Sequence, residues 1–165
     1  MPHLTIISGG QTGADRAALD FALRYGWPHE GWAPRGRRAE DGVIDSRYNL
    51  RETPNWEYAE RTAWNIRDSD ATIVFSAKRV VSGGTSLTLE LAERAGKPVL
   101  HLLKGKATPE RIAANAAALR GFVSIHGIGR LNIAGPRESQ SPGMYAFVLA
   151  VLEAAFVASG AALTT

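Results

Sequence analysis

Residues 7–20, ISGGQTGADRAALD, set Gly9, Gly10, Gln11, Thr12, Gly13, Asp15 and Arg16 between a short apolar run and a helical pattern. Bare backbone at the mouth of a strand suits an anion. Glycine permits close approach to a ligand, and a helix that starts there points its free N–H groups at it. The stretch is not a Walker loop, because no Lys-Ser/Thr follows, and it is not GxGxxG. Three further segments have the same character. WAPRGRRAEDG (32–42) brings Arg35, Gly36, Arg37 and Arg38, whose guanidinium forks can grip phosphate with paired bonds. SGGTSLTLE (82–90) brings Gly83, Gly84, Thr85 and Thr88. NIAGPRES (132–139) brings Gly135, Pro136, Arg137, Glu138 and Ser139, with Arg137 as an anion partner and Ser139 as a helix cap. Each segment has a bland counterpart. Tight turns favour glycine, and the arginines can pair with Glu40 and Asp41 on a solvated surface. The four together point to a phosphorylated small-molecule ligand.

These segments need elements to position them. Hydrophobic patterning predicts strands over 4–8, 30–34, 71–75, 98–103 and 130–134. It predicts helices over 14–25, 55–67, 85–95, 109–119 and 141–158, with 123–125 extended and 35–54 a polar loop. Strands alternating with helices give an α/β fold with a mainly parallel sheet covered on both faces. In such a sheet ligands bind at the carboxyl ends of the strands, and all four segments fall there. Asp68 and Asp70 fall at the opposite end and read as turn and cap residues. His101, inside a strand, reads as a sheet residue rather than a metal ligand. Trp27, Trp56 and Trp64 read as packing residues. Trp32, which borders the arginine segment, is the one worth testing for ligand contact.

The 165 residues, 45% of them hydrophobic, suit one domain spanning 1–165, and no linker or repeat interrupts them. The absence of cysteine excludes disulfides and thiolate metal sites and fits a cytoplasmic location. No apolar run is long enough for a bilayer, and residues 1–3 run straight into a strand with no secretory leader. The net charge of +3 is concentrated in the arginine segment and forms no long basic stripe, so nucleic acid is not an expected partner.

The combination of SGGQTGADRAALD, GWAPRGRRAEDG, RYNLRET, ERTAWNIRDSDATIVF, GGTSLT, GKPVL and NIAGPRES resembles the molybdenum-cofactor carrier proteins, a branch of the Rossmann-like superfamily with the YpsA-type and LOG-type proteins. The resemblance runs from residue 4 to about 143. It implies a Rossmann-like three-layer sandwich and a homo-oligomer. It also implies molybdenum cofactor as cargo, with molybdoenzymes or cofactor-synthesis proteins as delivery partners. Ala33 stands where that family is expected to carry Cys, and Asn49 where it carries Pro. The metal in such a cargo is held by the cofactor's own dithiolene sulfurs. The alternative is a LOG-like nucleoside-monophosphate phosphoribohydrolase. Its pattern matches Arg61, nine residues before Asp70, and Glu90, seven after Gly83, with Ser86 and Leu87 in place of the LOG Gly-Thr. An arginine and a carboxylate flanking an N-glycosidic bond would stabilise an oxocarbenium-like transition state and activate water. A nucleic-acid-linked sensor module is the third reading and the one the charge favours least.

Overall fold

The apolar run ATIVF becomes a fully buried inner strand. In the computed structural model, which describes residues 4–157, β7 (Ala71–Ser76) is buried at every residue. It lies between β8 (Val99–Leu103) and β9 (Arg130–Ala134). With β1 (Thr5–Ile7) and β2 (His29–Glu30) they form a five-stranded sheet of order β2-β1-β9-β7-β8, every pair parallel. The sequence predicts a frayed end over 159–165, which lies outside the described residues.

Five helices cover this sheet. α1 (Ala14–Tyr25) and α4 (Pro109–His126) both pack on α5 (Met144–Phe156), while α2 (Tyr58–Arg67) and α3 (Gly83–Arg94) pack on each other across the sheet. The result is a Rossmann-like three-layer α/β sandwich. Its core joins Ile6, Phe21, Ile73, Phe75, Leu119, Leu131, Phe147 and Val151. The sequence of β1 leads outward to β2, and β7 leads the other way to β8, so the direction of winding reverses around β9. A crevice forms at such a reversal, at the carboxyl ends of the strands.

The structure departs from the sequence-based expectation in three places. Residues 30–34 are not one strand. Gly31 turns the chain at φ 151°, where a Cβ would lie 1.9 Å from the Ser8 carbonyl oxygen. Beyond it, β3 (Trp32–Ala33) leaves the main sheet and pairs with β6 (Arg51–Glu52). The 35–54 segment is not a bare loop, since β4 (Arg38–Ala39) and β5 (Gly42–Val43) form a short antiparallel pair. Leu19, Ala33, Ile44, Tyr48 and Leu50 also give the segment its own small core. Residues 123–125 are helical, because Val123 packs into the main core and extends α4 to Gly127, a left-handed C-cap.

Candidate functional site

A cavity of about 240 Å³ opens at the winding reversal, at the carboxyl ends of the strands. Gly9, Gln11 and Asp15 reach it from the first loop, and Gly84, Thr85 and Thr88 from the start of α3. Gly135, Pro136 and Arg137 reach it from the loop after β9, and Tyr58, Arg61 and Asn65 from α2. Three of the four predicted segments therefore meet there.

The buried end is polar. Arg61 is 9% exposed and donates from Nη1 to the Gly9 carbonyl at 2.7 Å. That contact explains Gly9, since a Cβ there would fall 2.2 Å from Nη1. Asp15 is 6% exposed. Its Oδ2 accepts the Gln11 backbone N–H at 3.3 Å and stands 3.7 Å from Arg61 Nη1. Burial pushes the Asp15 carboxyl up to about 6, with Arg61 pulling the other way. Gln11 Oε1 accepts the backbone N–H groups of Thr12 and Glu40 at 3.1 and 2.9 Å, which sets the orientation of the amide. Its Nε2 is buried and has no hydrogen-bond partner among the described residues. An orphaned buried donor is costly and calls for an explanation.

The outer end is basic. The ring of Tyr58 lies under three guanidinium groups, those of Arg38, Arg61 and Arg137, at 4.1, 5.2 and 5.4 Å from its centroid. Arg38 is tied back by two bonds to the Trp56 carbonyl. The guanidinium of Arg137 makes no hydrogen bond among the described residues, so its donors are available to a ligand. The first turn of α3 contains no acidic residue, and its N-cap, Ser82, makes no side-chain cap. The free N–H groups of that turn and the positive end of the helix dipole thus face the cavity without a protein anion to answer them.

The other predicted residues serve the architecture. Arg37, at φ 52°, bonds four carbonyls, those of Ile44, Asp45, Tyr48 and Leu50, and holds the arginine segment closed. Arg16 bonds the Gly10 carbonyl and pairs with Asp41. Gly36 donates to Glu52 from its backbone, and the exposed Arg35 is tied through its backbone to Asn55. The Thr12 and Ser139 hydroxyls both donate to Glu40, and the Glu138 N–H donates to Thr12, which clips three loops together. Glu138 accepts from Gly143 and Tyr145 and so caps α5, the role expected of Ser139. Gly10 makes room for Ile44 and Leu50, Gly13 for the Pro136 carbonyl and Gly135 for Ala14. Gly83 borders a neighbouring cavity of about 410 Å³ that shares Thr85, Pro136 and Gln140 with the first. Glu90 is exposed, pairs with Arg94 at 2.7 Å and does not line the cavity, so it is not brought to Arg61.

Tyr58, Asn65 and Asn132 line the cavity without having been singled out in the sequence. Tyr58, Arg61 and Asn65 stand at i, i+3 and i+7, one face of a helix, and that spacing was readable. Asn132, a polar residue inside an apolar strand, was a second signal. Trp32 packs edge-on against Trp64 at 4.7 Å and donates to Asp68 at 2.7 Å. Trp56 is the exposed tryptophan, at 62%. Asp70 accepts the N–H groups of Gly129 and Arg130, holding the loop before β9. Among the described residues no group of His, Asp or Glu side chains has the arrangement of a metal site, and no helix is long and apolar enough to cross a membrane.

A search of curated proteins finds no match. Among solved structures, the chain is similar to a "putative molybdenum carrier protein" from Syntrophus aciditrophicus SB, with 41% sequence identity and a TM-score of 0.88. The match covers 94% of this chain and 96% of that one. The sequence profile of the circularly permutated YpsA SLOG family matches residues 6–156. With nearly all of its described residues inside that match, the chain belongs to the circularly permutated YpsA SLOG family.

Proposed function

We propose that this protein binds and carries molybdenum cofactor, or a similar phosphorylated pterin or nucleotide, as cargo. One observation carries the reading: the uncapped start of α3 and the unbonded guanidinium of Arg137 face one cavity. Backbone N–H groups at a helix start and a planar guanidinium are the donors that bind a phosphate monoester. The chain offers no thiolate, so the metal of such a cargo stays with the cofactor's own sulfurs. The similar protein from Syntrophus aciditrophicus bears the name of a molybdenum carrier, which supports this class of cargo. A cytoplasmic homo-oligomer that receives cofactor from its synthesis proteins and delivers it to molybdoenzymes completes the proposal.

Carriage is favoured over hydrolysis because Glu90, the general base of the hydrolase reading, pairs with Arg94 outside the cavity. Two measurements test this. The first is incubation with adenosine monophosphate followed by chromatography, which should yield neither free base nor ribose phosphate. The second is titration with the cofactor. Arg137→Ala should weaken binding by about 1.5–3 kcal/mol, the scale of a lost charge-assisted bond, while Glu90→Gln should leave it nearly unchanged. Turnover that disappears in Glu90→Gln would overturn the carrier reading.

A further inference from the structure

The cavity has two chemically different ends. The outer end is basic, and the inner end adds acceptors that nothing in the protein fully uses. Asp15 and Arg61 do not saturate each other: they stand 3.7 Å apart, and each makes its closer contact with backbone. The Asp15 Oδ1 makes no hydrogen bond among the described residues. Asn132, 3% exposed and also in the cavity wall, gives its Nδ2 to Thr72 Oγ1 at 3.2 Å, and its Oδ1 likewise makes no hydrogen bond. Strand register places Asn132 beside Ile7, at the root of the loop that leads to Asp15 in the first turn of α1. Gln11, 5% exposed, adds the orphaned Nε2 donor to the same wall.

A phosphate is a poor occupant of this end, because a buried carboxylate repels it and offers it no proton. A group bearing two adjacent N–H donors and a neighbouring oxo acceptor matches Asp15, Asn132 and Gln11. We infer that Asp15 is a specificity-determining residue that reads the 2-amino-4-oxo amidine edge of a planar heterocycle, the edge shared by pterin and guanine, and so points the ring inward and the phosphate outward. This rests on the reading that the outer end takes phosphate. Arg61 offsets part of the Asp15 charge while its Nη1 is bonded to the Gly9 carbonyl.

The test compares guanosine, inosine and adenosine monophosphates by titration calorimetry. Inosine monophosphate lacks only the 2-amino group, and adenosine monophosphate lacks the 2-amino and oxo pattern altogether. The wild-type protein should bind guanosine monophosphate at least roughly tenfold more tightly than either. A site built around a hydrogen-bonding partner rejects an analogue that leaves its buried groups unpaired. Asp15→Asn, checked for folding by its thermal transition, should erase that preference. Equal affinity for the guanosine and inosine compounds, preference for the adenosine one, or no binding of guanosine monophosphate overturns the inference. The wild-type comparison needs no variant, so misfolding of Asp15→Asn cannot decide the question. Guanosine without its phosphate separates the two readings. If it binds as tightly as the monophosphate, the phosphate reading fails while the amidine reading stands.

Discussion

Asp15 is a residue whose chemistry opposes the stability of its own fold. Its carboxyl titrates at about 6 in the folded protein, against an ordinary 3.8. Between those values the folded state holds a proton that the unfolded state has released. Stability therefore falls as pH rises through this window, and the loss is complete above about pH 6. Asp15→Asn, neutral at every pH, should be more stable than the natural protein by roughly 1–3 kcal/mol at pH 7.5, and no more stable at pH 3.5. Urea denaturation at the two pH values checks this. A gain of equal size at both would mean that packing, and not charge, was altered. A buried carboxyl in a cavity wall, raised by its own burial, is the kind that serves a ligand.

At the scale of elements, the glycines of the strand-to-helix loops divide into two kinds. A Cβ on Gly13 would lie 2.4 Å from the Pro136 carbonyl, at φ 80°. Gly84 has open space around its Cβ position and an ordinary φ. Gly13→Ala should therefore lower the thermal transition markedly by prising the fourth loop from α1, whereas Gly84→Ala should melt like the natural protein. A calorimetric comparison of the two reads this directly, and equal transitions would contradict it. The sequence places both glycines between a strand and a helix and conceals their difference, because a glycine there looks the same whether or not a neighbouring loop needs the space. The strands and helices were legible for the opposite reason. A run such as ATIVF carries its burial in its own composition. The arginine segment was the least legible. Its order comes from contacts distant in sequence, such as Arg37 with Leu50 and Gly10 with Ile44, and no local pattern announces them. Glu90 was misplaced by a related failure, since its spacing from Gly83 fits a motif while the helix turns its carboxylate toward Arg94.

For the whole molecule, the distribution of order decides where the surface yields. Arg35, Arg37, Arg38, Arg47 and Arg51 crowd one segment, which reads like a target for trypsin. In the fold, the Arg37 side chain is spent on four carbonyls and the segment has its own core. Lys78 and Arg79, by contrast, are exposed in the connection between β7 and α3. Limited digestion of the native protein should begin after Lys78 or Arg79 and spare 35–51, and mass spectrometry of the first fragments checks it. Initial cuts after Arg37 or Arg38 would show that the arginine segment opens more readily than β7–α3. The strand order carries a different consequence. β9 stands between β1 and β7 yet is the last strand of the described chain. As the polypeptide leaves a ribosome, the β1–β2 pair and the β7–β8 pair can each form, but nothing joins them until residues 130–134 emerge. From the emergence of residue 103 until that of residue 130, two half-sheets wait with facing, unsatisfied edges, the state most exposed to mispairing. The same late strand that completes the crevice also decides when the chain is safe from its neighbours.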